Sequence, residues 1–217
     1  MQISPSISRG QTAIPSLKVW AFRSRGLVGA LLVFPAFAVA LFSTPVILED
    51  SWVAFLLNSL GWLTFVAGVV FRFWPTIYIG GRKRMALMSD GPYSICRNPL
   101  YLGSLLLSIS MGFFLKSLVF GTVVGAAMVF YLGRTIPAEE RDLRAILGAP
   151  YEDYCRRVPR FWPKFSLFHT PEMVDVKVKG LRLEARRAII WMFIPLGGAL
   201  ASQLRGQTWW PHWFNLL

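Results

Sequence analysis

Long apolar blocks separated by short polar and basic segments make up most of this chain. Two apolar runs, residues 27–48 and 52–74, are each long enough to cross a bilayer core of about 30 Å as a helix. A third run, residues 100–132, is apolar except for Lys116 and would be about 50 Å long as a single helix. It therefore predicts a hairpin that turns between residues 112 and 117.

A last apolar run, residues 188–204, brings the number of predicted spans to about five. The fold class predicted from this pattern is an all-α, polytopic transmembrane helical bundle. We expect residues 27–217 to form a single domain with a motif-bearing core over residues 74–163. Residues 1–26 begin with a stretch rich in Ser, Pro and Gln, and we expect them to form a mobile tail.

The composition agrees with a bilayer environment, because 54% of the residues are hydrophobic and only 16% are charged, with a mean hydropathy of +0.48. The net charge of +12 comes from Lys and Arg residues that lie mainly between apolar blocks, a pattern that sets membrane orientation and does not predict a nucleic-acid partner. The loop between the first two apolar runs has Glu49 and Asp50 as its only charged residues. We therefore predict a multi-pass protein with a cytoplasmic N terminus and cytoplasmic motif loops.

Histidine and cysteine usage argues against a metal centre in the sequence. His169 and His212 are the only histidines, so no helix carries the paired spacing that zinc, haem or di-iron sites use. Cys96 and Cys155 both fall in predicted cytoplasmic segments, where thiols stay reduced. We predict no metal and no disulfide.

Three polar stretches lie on the predicted cytoplasmic side: residues 90–103, 137–148 and 151–163. In the first, Asn98 suits the N-cap position and Pro99 the first position of an apolar helix. The exposed N–H groups of such a helix end, with Arg97 beside them, favour an anion such as a carboxylate. The simpler interpretation is that these residues only begin a helix while Arg97 extends to lipid headgroups.

The second stretch predicts a helix that begins at Pro137 and ends before Gly148. The adjacent carboxylates of Glu139 and Glu140 are suited to bind an ammonium group. They are equally suited to an ordinary first turn, in which Glu140 pairs with Arg144 one turn later.

Together the stretches contain two motifs: Gly91-Pro92-Tyr93-x-x-x-Arg97-Asn98-Pro99-x-Tyr101-x-Gly103, and Glu139-Glu140-x-x-Leu143-x-x-x-Leu147-Gly148-x-x-Tyr151-x-x-Tyr154-x-x-x-Val158-Pro159-x-Phe161-x-Pro163. Over residues 74–163 the chain resembles the isoprenylcysteine carboxyl methyltransferase and phospholipid methyltransferase superfamily of integral membrane enzymes. Two motifs in the same order, with a hairpin between them, make this resemblance more specific than either motif alone.

The resemblance implies S-adenosylmethionine as cofactor, bound at the cytoplasmic end of the helices. The implied cofactor contacts are Arg97, Asn98, Tyr101, Gly103, Glu139 and Glu140. The implied contacts with the acceptor are Tyr93, Tyr151 and Tyr154. Many members of the superfamily have His where this chain has Asn98, so this residue offers no general base, and no catalytic residue is assigned.

The function expected from this resemblance is transfer of a methyl group from S-adenosylmethionine to a lipophilic or lipid-embedded acceptor at the cytoplasmic membrane face. A prenylated cysteine carboxylate or a phospholipid amine are acceptors of that kind. The alternative is a non-enzymatic membrane protein, such as a lipid-binding scaffold or a small transporter subunit.

Overall fold

A computed structural model describes residues 33–79 and 87–214 of the chain. Within those ranges every regular element is a helix, apart from one isolated β-bridge that joins Ser43 to Phe214. In chain order the helices are α1 (described over 33–41), α2 (Trp52–Ile79), α3 (Pro92–Ile95), α4 (Pro99–Leu115), α5 (Leu118–Leu147), α6 (Ala149–Arg157), α7 (Val178–Trp191) and α8 (Phe193–Arg205), with a 3₁₀ turn at Phe165–Leu167. The predicted all-α class is confirmed, whereas the predicted tail lies outside the described residues.

Three helical segments in the described part of the chain are long and apolar enough to cross a membrane: Trp52–Ile79, Leu118–Leu147, and Val178–Arg205, in which α7 and α8 follow one another. Helix α4 is apolar but has only 17 residues, about 25 Å, and is shorter than a bilayer core. The described residues thus contain three spans of full length, and the predicted total of about five stays a prediction. The protein is a multi-pass helical membrane protein by this criterion.

The hairpin turns where the sequence predicts it. Helix α4 ends at Leu115, and Lys116 follows with a positive φ of 48° that reverses the chain direction. Ser117 then caps α5, because its hydroxyl accepts a hydrogen bond from the backbone N–H of Phe120 at 3.3 Å. The two arms differ in length, since α5 extends well beyond the start of α4.

Helix α5 continues through Pro137, and the prediction that a new helix begins there is wrong. Proline removes one hydrogen bond from a helix interior. The helical turns on either side of Pro137 are stabilised because one face of α5 is buried. Leu132, Ile136 and Glu140 recur on that face at intervals of four residues. The predicted end is confirmed, because α5 stops at Leu147 and Gly148 follows with a φ of 60°.

Glycines allow the central helices to approach closely. A Cβ atom added to Gly103 of α4 would lie 2.8 Å from the backbone carbon of Phe71 in α2, and one added to Gly68 would lie 2.9 Å from Leu107. Phe114, near the end of α4, fills the space left by Gly61 of α2 and Gly198 of α8. The α2–α4 pair is thus the packed centre of the bundle.

Candidate functional site

The three polar stretches of the sequence come together at one end of the bundle, which we call the Glu140 end. The segment after α6 runs beside the segment before α4. The backbone N–H of Arg97 donates to the carbonyl of Pro159 at 2.9 Å, and that of Lys164 donates to the carbonyl of Ile95 at 2.9 Å. The thiol of Cys96 contacts the carbonyl of Phe161 at 3.1 Å. These contacts fix the third stretch against the first.

The carboxylate of Glu140 is the centre of this end and is only 2% exposed. Arg97 donates to its Oε1 atom from Nη1 at 3.0 Å. Arg160 donates from Nε to Oε1 at 3.2 Å and from Nη2 to Oε2 at 2.7 Å. Arg144, one turn along α5, lies 3.7 Å from Oε2. One buried carboxylate therefore joins three arginines from different segments.

This cluster, which we call the Glu140 cluster, carries an excess of positive charge because three guanidinium groups surround one carboxylate. The hydrogen bonds to Glu140 raise the pKa of Arg160, so this guanidinium stays charged. The buried Nε of Arg97 has no hydrogen-bond partner within the described part of the chain. Chemically, the cluster can hold segments together through charge-assisted hydrogen bonds and present positive charge at the surface.

Three of the six residues predicted to bind the cofactor, Arg97, Asn98 and Glu140, belong to this network. Asn98 occupies the N-cap position of α4 as predicted, but its side chain does not cap the helix. Its amide Nδ2 donates instead to the carbonyl of Arg160 at 2.9 Å. Because that carbonyl lies on the docked segment, Asn98 contributes to the junction between the first and third stretches.

The other three predicted cofactor residues have different surroundings. The ring of Tyr101 lies 6.5 Å from that of Tyr131 on α5. Gly103 makes the close α2–α4 contact described above. Glu139 is half-buried and has no ion pair with any residue in the ranges 33–79 and 87–214.

The residues predicted to contact an acceptor, Tyr93, Tyr151 and Tyr154, are all buried, with at most 8% of each exposed. Tyr154 donates its hydroxyl to the carbonyl of Tyr93 at 2.8 Å, and burial raises the pKa of both phenols. Tyr151 and Tyr154 pack with Val158 in a small apolar cluster under the Glu140 end. These positions make the tyrosines core residues of that end; their contact with an acceptor stays a prediction.

The roles of two arginines of this network were not fully predicted from the sequence. Arg144 was predicted as a surface partner of Glu140, whereas Arg160 was not singled out at all. The only sequence signal for Arg160 is its place between Pro159 and Phe161 in the second motif, in a stretch too polar to continue a span. A second missed pair joins Arg72 of α2 to Glu184 of α7, with Nη2 and Oε1 2.6 Å apart.

Possible metal ligands are dispersed in this structure. No three of the His, Cys, Asp and Glu side chains within residues 33–79 and 87–214 are grouped so that they can hold a metal ion. His169 and Asp90 approach to 3.3 Å as a pair at the surface. Cys96 is a buried free thiol, and burial raises its pKa to about 11.

The fold and this end of the bundle define a multi-pass helical membrane protein with a buried, arginine-rich ion-pair cluster. Comparison with known proteins gives two relatives. Over 134 residues the chain is 34% identical to the cobalt-zinc-cadmium resistance protein CzcN of Cupriavidus metallidurans, and this alignment covers 62% of each chain. Over 163 residues it is 27% identical to the nickel-cobalt-cadmium resistance protein NccN of Alcaligenes xylosoxydans xylosoxydans, covering 75% of this chain and 76% of that protein.

No protein-family model matches the chain, and no solved structure matches it. These comparisons overturn the expected membership of the isoprenylcysteine and phospholipid methyltransferase superfamily, because both relatives are named for metal resistance. The expectation of a methyltransferase, and of an enzyme of that kind, is therefore wrong. The alternative, a membrane protein of another kind, agrees better with the relatives. Binding of S-adenosylmethionine at the predicted residues stays a prediction.

Proposed function

We propose that this chain is a membrane component of resistance to divalent transition-metal cations. The observation that carries the proposal is its similarity to two proteins named for resistance to cobalt, cadmium and either zinc or nickel. The longer of these alignments extends over three quarters of the chain and is thus not confined to one helix or one motif. A role shared with these relatives would therefore depend on the bundle as a whole.

The role that the side-chain chemistry favours is that of an accessory component and not of a metal-binding pump. The two buried carboxylates of the described residues are already paired with guanidinium groups: Glu140 with Arg97 and Arg160, and Glu184 with Arg72 and Arg187. Both of these carboxylates are almost fully buried, so a passing cation cannot bind to them without displacing an arginine. In our proposal these acidic residues stabilise the contacts between segments of the bundle and do not bind the metal.

We also propose an orientation in which the Glu140 end faces the cytoplasm. In the sequence, Arg82, Lys83 and Arg84 follow α2 and Arg182 lies early in α7, and basic residues next to spans favour the cytoplasmic side. The opposite loop contains Glu49 and Asp50 and no Lys or Arg. In this arrangement α1 and α4 complete five crossings, with α4 as a short arm against α2.

The proposal is tested by deleting the gene for this chain in its own host and measuring growth over a concentration series of Co²⁺, Zn²⁺, Cd²⁺ and Ni²⁺ salts. We expect the tolerated concentration of at least one of these cations to fall several-fold and to recover when the gene is restored on a plasmid. Tolerance to NaCl at equal ionic strength serves as the control for general membrane damage. Equal growth of the deleted and parental strains in all four series would overturn the proposal.

A further inference from the structure

The end of the bundle opposite Glu140, which we call the Lys116 end, contains a cavity of about 520 Å³ between α2 and α8. It lies over Phe114, which packs against the two glycines that bring these helices onto α4. Cavities of this size are typical of small-molecule sites. This one takes no part in the Glu140 cluster.

Polarity changes along the cavity in the same direction on both helices. On α2, the apolar ring of Trp62 lies deeper in the bundle than Asn58, because α2 begins at this end of the molecule. On α8, which runs towards this end, Pro195 lies deeper than Gln203. A cavity that is apolar at depth and polar at the membrane boundary matches an amphiphile whose chain lies in the bilayer and whose headgroup lies at its surface.

The charged wall of the cavity is formed by Lys116 and Glu49. The ammonium of Lys116 donates to Glu49 Oε2 at 2.7 Å and to the hydroxyl of Ser202 at 3.2 Å. The side chain of Lys116 is only 3% exposed, whereas that of Glu49 is 42% exposed. Lys116 uses only the Oε2 atom of this half-exposed carboxylate, so Oε1 is the atom that a ligand can reach, and its negative charge favours a cationic group.

The cavity wall contains three amide side chains, those of Asn58, Gln203 and Gln207. Asn58 and Gln203 make no side-chain hydrogen bond with another residue in the part of the chain that the structure describes. An amide at the membrane boundary is stabilised when it bonds to a polar partner. With N–H donors for phosphate oxygens and carbonyl oxygens for an ammonium, these amides complement a headgroup that carries both.

We propose that this cavity binds a phospholipid with a phosphoethanolamine headgroup. The primary ammonium pairs with Glu49, the phosphate accepts hydrogen bonds from the amides of Asn58 and Gln203, and the start of an acyl chain lies along Trp62. A trimethylammonium headgroup has no N–H donor for Glu49, and a glycerol headgroup has no positive charge for it. The ethanolamine headgroup is therefore preferred over both.

Native mass spectrometry of the full chain tests this proposal. The delipidated protein in detergent is mixed in turn with dioleoyl phosphatidylethanolamine, phosphatidylcholine or phosphatidylglycerol, and the first bound lipid is titrated. We expect phosphatidylethanolamine to bind about tenfold more tightly than the other two, the change expected for one charge-assisted hydrogen bond. Equal affinity for all three lipids would overturn the proposal.

Two matched pairs of variants locate the lipid. Ala199→Trp fills the cavity from an exposed position of α8, and Ala126→Trp places the same side chain at an exposed position of α5 away from it. We expect the first to abolish the preference for phosphatidylethanolamine and the second to leave it unchanged. Glu49→Gln should reduce the preference about tenfold, whereas Asp50→Asn, at the exposed neighbouring residue, should not. Preserved preference in Ala199→Trp would place the lipid elsewhere and reject this cavity.

Discussion

Arg160 binds the buried carboxylate of Glu140 at two points, with Nε 3.2 Å from Oε1 and Nη2 2.7 Å from Oε2. The two residues belong to different segments, because Glu140 lies within α5 and Arg160 follows α6. Paired donors of this kind fix orientation as well as distance. The ion pair therefore holds the segment after α6 against α5, and with it the backbone contacts to Arg97 and Asn98.

Replacing Glu140 with Gln should strongly destabilise the protein. The substitution leaves three guanidinium groups around a neutral amide, so their mutual repulsion is no longer compensated and the cluster is only partly hydrogen-bonded. We expect the free energy of unfolding to fall by about 3 kcal/mol or more, the range for breaking a buried ion pair. Denaturant unfolding of the purified protein in detergent, followed by circular dichroism, measures the change.

Glu139 provides the matched control, since it is the adjacent carboxylate but lies outside the ion-pair cluster in the described chain. We expect Glu139→Gln to change the free energy of unfolding by less than about 1 kcal/mol. Arg160→Gln combined with Glu140→Gln should cost less than the sum of the single changes, because the two residues are in direct contact. Additive losses in that double variant would contradict the paired arrangement.

A second prediction concerns the contact between α2 and α4. Gly103→Ala places a methyl group 2.8 Å from the backbone of Phe71, so the helices must separate. We expect a loss of about 1–3 kcal/mol, the usual cost of overpacking. The midpoint of thermal unfolding in detergent reports this loss.

Gly121→Ala is the matched control on α5, where an added Cβ meets no atom of the described chain within 4 Å. There the substitution should be neutral or stabilising by up to about 1 kcal/mol, because alanine favours a helix more than glycine does. If both variants unfolded at the same temperature, Gly103 would have no special role in the helix contact.

Local features of the fold could be predicted from the sequence because they depend on neighbouring residues. The turn at Lys116 and Ser117 follows from an apolar run too long for one span. The end of α5 before Gly148 follows from the absence of a Cβ in glycine, which lets it adopt the positive φ that ends a helix. The interruption at Pro137 was predicted wrongly, because burial of Ile136 and Glu140 holds the helix where proline alone favours a break.

The partners of the charged residues could not be predicted, since they depend on how the helices pack. Arg72 and Glu184 are 112 residues apart in the chain, and no local pattern links them. Asn98 was correctly placed at the N-cap of α4, but its side chain bonds to the carbonyl of Arg160, which lies 62 residues away. The motifs located the residues that gather at one end, while the tertiary packing determines which atoms pair.

The reactivity of Cys96 gives a third prediction. Burial raises the pKa of this thiol from 9.0 to about 11, so the folded state holds its proton more firmly than the unfolded state does. The stability that this provides is complete below pH 9 and is lost as the pH rises towards 11. At pH 10 the thiol should account for about 1 kcal/mol of lost stability, and Cys96→Ala should remove that part of the pH dependence.

Cys155 provides the comparison, because it is a free thiol that is partly exposed. With N-ethylmaleimide at pH 7.5, we expect Cys155 to be alkylated at least about tenfold faster than Cys96, since both the thiolate and access to it are needed. Peptide mapping of the labelled protein assigns each site. Faster labelling of Cys96 would mean that the segment containing Phe161, whose carbonyl contacts this thiol, moves away from it readily.

The proposed orientation leads to the last prediction, which uses the two ends of α2 in a background with Cys96→Ala and Cys155→Ser. Asp50 precedes this helix at the Lys116 end, and Ser89 follows it at the Glu140 end. Because basic residues flank the Glu140 end, we expect it to face the cytoplasm. A membrane-impermeant maleimide added to intact cells should therefore label Asp50→Cys, and should label Ser89→Cys only after the cells are permeabilised. Labelling of Ser89→Cys in intact cells, with protection of Asp50→Cys, would invert the orientation and place the Glu140 cluster on the outer face.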